Sequence, residues 1–173
     1  MTETLWQRLV ALDAALSRRA LRLVREQPWR GMAICIAHTG DSLVWLTAGL
    51  LLWRFGGKFA AVGPRIVITV LLTGALSGTL KLLFRRRRPQ EEPRGFFLRY
   101  DRHGFPSGHA TRAGGLMVAL GALLPPWGAT LLAVWGITVC ASRVALGLHF
   151  AGDIGGGLVI GWLLGLALLG WFH

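Results

Sequence analysis

The stretch SRVALGLHFAGDIGGGLVIGWLLGLALLGWF, residues 142–172, decides the fold. It begins with a polar block holding Ser142, Arg143, His149 and Asp153, and runs straight into a nearly uninterrupted apolar segment at residues 151–172. A helix needs about 20 apolar residues to cross roughly 30 Å of hydrocarbon, so this segment reads as a membrane span. An ionisable group at the start of such a span costs roughly 3 kcal/mol or more unless it is paired, which makes Asp153 a functional candidate from the outset.

Four more runs of the same kind lie upstream, at residues 31–53, 60–84, 109–124 and 127–148. The third is short, so its start is expected inside protein. Breaks fall at residues 54–58, in the polar segment 85–105, at Pro125 and Pro126, and near Gly147. The fold class is therefore all-α, a polytopic membrane helix bundle of about five transmembrane helices. Residues 4–27 differ: Leu5, Leu9, Leu12, Leu16, Ala20 and Leu23 recur at steps of three and four, with arginines and Asp13 on other faces. This pattern predicts an amphipathic helix in the interface plane, ended by Pro28, with Trp29 and Arg30 as an interfacial anchor. The domain reading is residues 1–28 as that helix and 29–173 as one membrane-embedded domain. Arg8, Arg18, Arg19, Arg22 and Arg25 do not make the basic start of a signal peptide, so the N-terminal segment is expected to be retained.

Composition agrees. Of 173 residues, 53% are hydrophobic and 16% charged, too apolar for a soluble domain of this length. The net charge of +11 sits in arginines at the ends of apolar runs, which points to anionic headgroups and phosphates rather than nucleic acid. Cys35 and Cys140 lie in separate apolar runs without metal-ligand spacing and read as inert thiols.

Counting passes through the bilayer puts the end of the second run, the start of the third, the end of the fourth and the start of the fifth on one side. Those places hold Lys81 and Arg88, then Ser107, Gly108 and His109, then Arg143, His149 and Asp153. Lys81 and Arg88 are seven residues apart and share a helical face if the second span continues to Pro89. Together they offer a point charge and a planar fork to one phosphate. Arg85, Arg86 and Arg87 read as an interfacial anchor for anionic lipid. In Pro106-Ser107-Gly108-His109, proline and serine favour a helix start and glycine lets the backbone approach a ligand, giving an anion site beside an imidazole able to protonate a departing oxygen. A plain capped helix with a surface histidine is the alternative for that tetrapeptide alone. His149 and Asp153, at i and i+4, share a helical face, so the carboxylate can hold one ring nitrogen while the other attacks phosphorus. Arg143 lies six residues before His149, which requires a bend, with Gly147 the obvious place. His38 and Asp41 read either as a mutual polar pair or as substrate contacts, and Asp101, Arg102 and His103 as solvated loop residues.

The three blocks, K-x6-R-P at Lys81 to Pro89, P-S-G-H at Pro106 to His109 and S-R-x5-H-x3-D at Ser142 to Asp153, resemble the signature of the type 2 phosphatidic acid phosphatase family, whose site is shared with the vanadium haloperoxidases. Every signature position is filled. The resemblance implies a metal-independent integral-membrane lipid phosphatase without cofactor, acting on a lipid phosphate monoester or diphosphate such as a polyprenyl diphosphate or phosphatidylglycerol phosphate. It implies His149 as the nucleophile that forms a phosphohistidine, Asp153 as its orienter and His109 as general acid. Lys81, Arg88, Ser107, Gly108 and Arg143 are implied as phosphate holders. The implied partners are the bilayer and its lipid phosphate, with no nucleic acid and no obligate protein partner, in a bacterial cytoplasmic membrane. Family members usually have six spans, one more than is counted here. Selectivity is expected from gaps between helices and from the loop 90–105. If residues 4–27 lie flat, the arginine-rich N-terminus and the loop from Arg85 to Arg102 share the side of the site and favour a cytoplasmic one by the positive-inside rule; many bacterial relatives of the family work on the outer face, and a spanning first helix would change where the N-terminus lies. A silent lipid-binding member of the family and a small anion transporter are the competing classes, the latter lacking visible inverted repeats.

Overall fold

A computed structural model describes residues 4–24, 28–89 and 103–172. Arg25, Asp101, Arg102 and most of the loop 90–105 lie outside the described residues, so the expectations placed on them are not addressed by the fold. Within the described residues the chain is helical: α1 Leu5–Leu23, α2 Trp29–Thr39, α3 Ser42–Phe55, a 3-10 turn at Gly57–Phe59, α4 Val62–Phe84, α5 Gly108–Gly121, α6 Pro126–Ala145 and α7 Ala151–Leu169. Three segments are long and apolar enough to cross a bilayer, one ending with α4 and the others α6 and α7; α2 and α3, bent by 45° at a short break, form a fourth when counted as one. The expected single run 31–53 is thus two helices, because Gly40 ends one and Asp41 starts the next.

Large apolar side chains point outward on most helices, among them Leu43, Leu51, Leu71, Leu82, Leu131, Ile137, Val159 and Leu163. Exposure on this scale is the mark of a surface that faces lipid rather than water. The inside is built around α5, whose residues from Ala110 to Leu120 are buried almost without interruption. Only 14 residues long, it sits among α4, α6 and α7; the shortness of its apolar run places its start inside protein, and the burial extends along the helix.

The tightest packing is α5 against α7. Gly157, Gly161 and Gly165 recur every fourth residue and so line one face of α7. A Cβ on Gly161 would lie on the carbonyl oxygen of Thr111, one on Gly157 would come 2.8 Å from the Ser107 carbonyl, and one on Gly165 3.0 Å from the Gly115 carbonyl. Small residues at this spacing let membrane helix backbones meet, where dispersion and polar contact must replace the hydrophobic effect. The consequence is functional, because it presses the N-terminal turn of α5 against the N-terminal turn of α7. The Ser107 N–H donates to the Asp153 carbonyl at 3.1 Å across that contact.

The account predicts that Gly161→Val, which meets backbone rather than a movable side chain, destabilises the protein by about 2 kcal/mol or more and lowers its unfolding temperature in detergent. Gly155→Ala, at a position with nothing within 4 Å, leaves that temperature close to wild type.

Candidate active site

Two tight chain reversals bring the three sequence blocks together. The first is at Arg85, whose φ of 46° and ψ of 31° close α4 in the left-handed region. Pro89 disfavours helical geometry at Arg88 and its ring would strike the carbonyl of Arg85, so the helix stops at Phe84. The expectation that Lys81 and Arg88 share a face of one continuous helix is corrected accordingly. Both nevertheless act on the same imidazole, since their charges are felt at His149. The second reversal is at Gly147, with φ 71°, where Leu148 N–H donates to the Arg143 carbonyl at 3.1 Å. This is the bend that the spacing of Arg143 and His149 required, and it leaves Arg143 within electrostatic reach of His109.

Ser107 occupies the N-cap position of α5 but makes no cap bond; its Oγ is fully buried and has no hydrogen-bond partner among the described residues. A buried hydroxyl left in that state costs about 1–3 kcal/mol unless a ligand meets it. Gly108 leaves room beside it, since a Cβ there would stand 3.5 Å from Ser77 Oγ and 4.0 Å from Lys81 Nζ. Backbone N–H groups at a helix start, a hydroxyl and an ammonium thus converge on one spot, as an anion site requires.

His149 and Asp153 are not on a helical face together. α7 begins only at Ala151, so His149 precedes the helix and Asp153 is its third residue. The Nδ1–H of His149 is within 2.9 Å of the Gly104 carbonyl, while Asp153 Oδ2 stands 3.7 Å away. The main-chain oxygen is the nearer partner of Nδ1, while Asp153 stays within ion-pair distance of the same nitrogen; what is corrected is the shared face of one continuous helix. Fixing Nδ1 leaves Nε2 as the nitrogen available to a ligand. The ring is 2% exposed. Burial, aided by the charges of Arg88 and Lys81 against the pull of Asp153, lowers its pKa to about 4, so the imidazole is neutral at pH 7.

Asp153 is wholly buried, and both of its oxygens are occupied. Oδ2 accepts the Phe150 N–H at 2.9 Å and Oδ1 accepts Arg86 Nη1–H at 2.8 Å. Arg86 is consequently no lipid anchor: its other nitrogen donates to Asp13 Oδ2 at 2.6 Å, and its guanidinium lies over the Phe150 ring at 4.8 Å. Asp13 belongs to α1. Its Oδ1 also accepts the Gly152 N–H at 2.8 Å, and Ser17 Oγ accepts the Ala151 N–H at 3.1 Å. These are the first two N–H groups of α7, which lack partners within their own helix, so α1 caps α7 from outside. Asp13 and Ser17, four apart beside the leucine stripe, carried a detectable signal: a lone acid among arginines on an amphipathic helix. Gly104 carried none, because its contribution is a carbonyl.

His109, in the first turn of α5, is held differently. Its Nε2 lies 2.8 Å from Asp41 Oδ1, and Asp41 Oδ2 lies 2.7 Å from His38 Nδ1. Of the two readings for His38 and Asp41 the mutual pair is present, and it extends to His109. His103 lies just before Gly104, and Cys35 and Cys140 are free thiols, one exposed and one buried.

The model of the PAP2 superfamily matches residues 64–173. The chain is 33% identical over 138 residues to the putative undecaprenyl-diphosphatase YbjG of Escherichia coli, covering 78% of this chain and 69% of the relative. It is 30% identical over 118 residues to a lipid A 1-phosphatase of Rhizobium etli, covering 64% of this chain and 47% of the relative, so it spans about half that protein's length. The solved transmembrane PAP2-type phosphatidylglycerolphosphate phosphatase of Bacillus subtilis superposes with a TM-score of 0.71 at 28% identity, over 95% of this chain and 86% of the other.

The bridge through Arg86 gives a direct test. Arg86→Ala leaves the buried Asp153 oxygen unmatched and is expected to cost about 2 kcal/mol, seen as a lower unfolding temperature. Asp13→Asn costs less, and the double variant is no worse than Arg86→Ala alone, because the two residues act through one contact.

Proposed function

The chain belongs to the PAP2 superfamily, and from that premise we propose that it is an integral-membrane lipid phosphatase working through a phosphohistidine. The observation that carries the reading is the buried, neutral ring of His149, with Nδ1 tied to the Gly104 carbonyl. Its free nitrogen and the Ser107-Gly108 anion site belong to the two helix starts that the α5–α7 contact presses together.

In this reading Lys81, Arg88, Ser107, Gly108 and Arg143 hold the phosphate and neutralise charge as it shifts. Nε2 of His149 attacks phosphorus; the nitrogen–phosphorus bond forms as the bond to the lipid oxygen breaks, and His109 gives that oxygen a proton. Water then attacks phosphorus, passes a proton to His109 and releases phosphate and free His149. Asp153 serves by holding Phe150 and Arg86, and its charge steadies the imidazole during transfer. No step requires a metal. The bilayer supplies the substrate, a lipid phosphate monoester or diphosphate. The names of the relatives favour undecaprenyl diphosphate, lipid A and phosphatidylglycerol phosphate as first trials. The bent pair α2–α3, α4, α5, α6 and α7 make five crossings in a bacterial cytoplasmic membrane. The exposed leucines of α1 lie in the interface while Asp13 and Ser17 face the site.

His149→Ala is expected to reduce phosphate release from lipid phosphates by at least about 10³-fold, and wild-type activity to persist in excess chelator. Wild-type-like turnover by His149→Ala would end the proposal. The pH profile is a separate check. A folded-state pKa of about 4 keeps the nucleophile neutral at and above neutral pH, so the acid limb of the kcat/KM profile, where the nucleophile becomes protonated, should lie near that value and not near 6.5.

A further inference from the structure

The break between α2 and α3 is held from several sides. Arg112, buried in α5, donates from Nη1 to the Gly40 carbonyl and from Nη2 to Ser42 Oγ, gripping the residues on both sides of Asp41. Trp45 Nε1–H donates to the Thr39 carbonyl and Trp135 Nε1–H to Thr39 Oγ1, each at 3.0 Å. Gly40 has no space for a side chain: a Cβ would come 2.6 Å from Val139 Cγ1 and 3.1 Å from Cδ2 of His109.

Asp41 sits at the N-cap of α3, where an aspartate ordinarily accepts an N–H from its own helix. Its carboxylate makes no such bond. One oxygen is given to His109 Nε2 at 2.8 Å and the other to His38 Nδ1 at 2.7 Å. His38 is 67% exposed, whereas His109 is largely enclosed. The side-chain carboxylate in hydrogen-bond contact with a site imidazole therefore serves His109, since His149 has the Gly104 carbonyl at that distance.

We propose that Asp41 is the positioning residue of the general acid, with His38 holding the carboxylate's second oxygen. The inference rests on the role given to His109 above. In the first step His109 must carry protons on both nitrogens. Asp41 accepts the one on Nε2, stabilising the imidazolium, and Nδ1–H is left to face the departing lipid oxygen. After that proton is given up the ring is neutral, and the same contact keeps its remaining proton on Nε2. Nδ1 then presents a lone pair to the attacking water, takes its proton and restores the starting state. One carboxylate thus fixes the tautomer that each half of the cycle needs, with no net proton gained or lost.

The test compares leaving groups. Asp41→Asn keeps a capable N-cap of the same shape but loses the charge and the fixed tautomer. With dodecyl phosphate, whose alkoxide must be protonated to depart, kcat is expected to fall about 10²-fold with KM little changed. With 4-nitrophenyl phosphate, whose phenolate leaves unaided, the fall is expected to be about tenfold smaller, since only the second half of the cycle depends on His109. In a His109→Ala background Asp41→Asn adds little further loss. His38→Gln gives a smaller loss of the same kind. Equal losses on both substrates, or losses that add fully to those of His109→Ala, would overturn the proposal in favour of a purely structural Asp41. Turnover by His149→Ala on dodecyl phosphate instead removes the catalytic reading itself, whatever Asp41 does.

Discussion

A fully buried carboxylate is tolerable only when its charge is matched and its oxygens are bonded, and the architecture around Asp153 is organised by that requirement. Arg86 supplies the charge, and supplying it dictates that the chain leave α4 at Phe84 and turn back through Arg85 toward α7. Phe150 supplies the N–H, which fixes where α7 begins and leaves His149 just outside the helix. Because Arg86 is only partly shielded and has donors to spare, α1 brings Asp13 to its far side and caps α7 at the same time. Helix α7, which would otherwise start with unsatisfied N–H groups, is thereby capped by α1.

The glycine face of α7 does the complementary work. By letting α5 approach to backbone contact, it brings two helix N-termini to one place, each with a partial positive charge suited to an anion. The two imidazoles are then held by different means. His149 leans on a main-chain carbonyl, which orients the ring of the proposed nucleophile while the Asp153 carboxylate stands farther off, at 3.7 Å. His109 leans on a carboxylate, which suits the proposed general acid, a group that carries positive charge before it gives up its proton.

Much of this could be read from the chain. Apolar runs placed most of the helices, though residues 31–53 form two rather than one, the short third run put the start of one helix inside protein, and the six-residue spacing from Arg143 to His149 required the turn found at Gly147. Spacing misled where it assumed a continuous helix: Lys81 to Arg88 is interrupted by the proline rule, and His149 with Asp153 straddles a helix start. Composition misled at Arg86, since a four-arginine run looks like a lipid anchor until one of its members meets a buried acid. The links from α1 were legible only as an anomaly, a lone acid on an amphipathic helix, and not as contacts. Which of several polar residues on an amphipathic helix turns inward depends on what lies beneath it, and periodicity carries no information about that. Gly104 acts through an atom that every residue possesses.

The most direct test of the account is to trap the covalent state. Protein mixed with radiolabelled dodecyl phosphate, quenched in alkali within a turnover and digested, should carry its phosphate on the peptide containing His149, as an acid-labile, alkali-stable phosphoramidate. The label should be absent from His149→Ala. Label on His109, on a serine, or an acid-stable phosphate would contradict the assignment of the buried ring of His149 as the atom that takes the phosphoryl group.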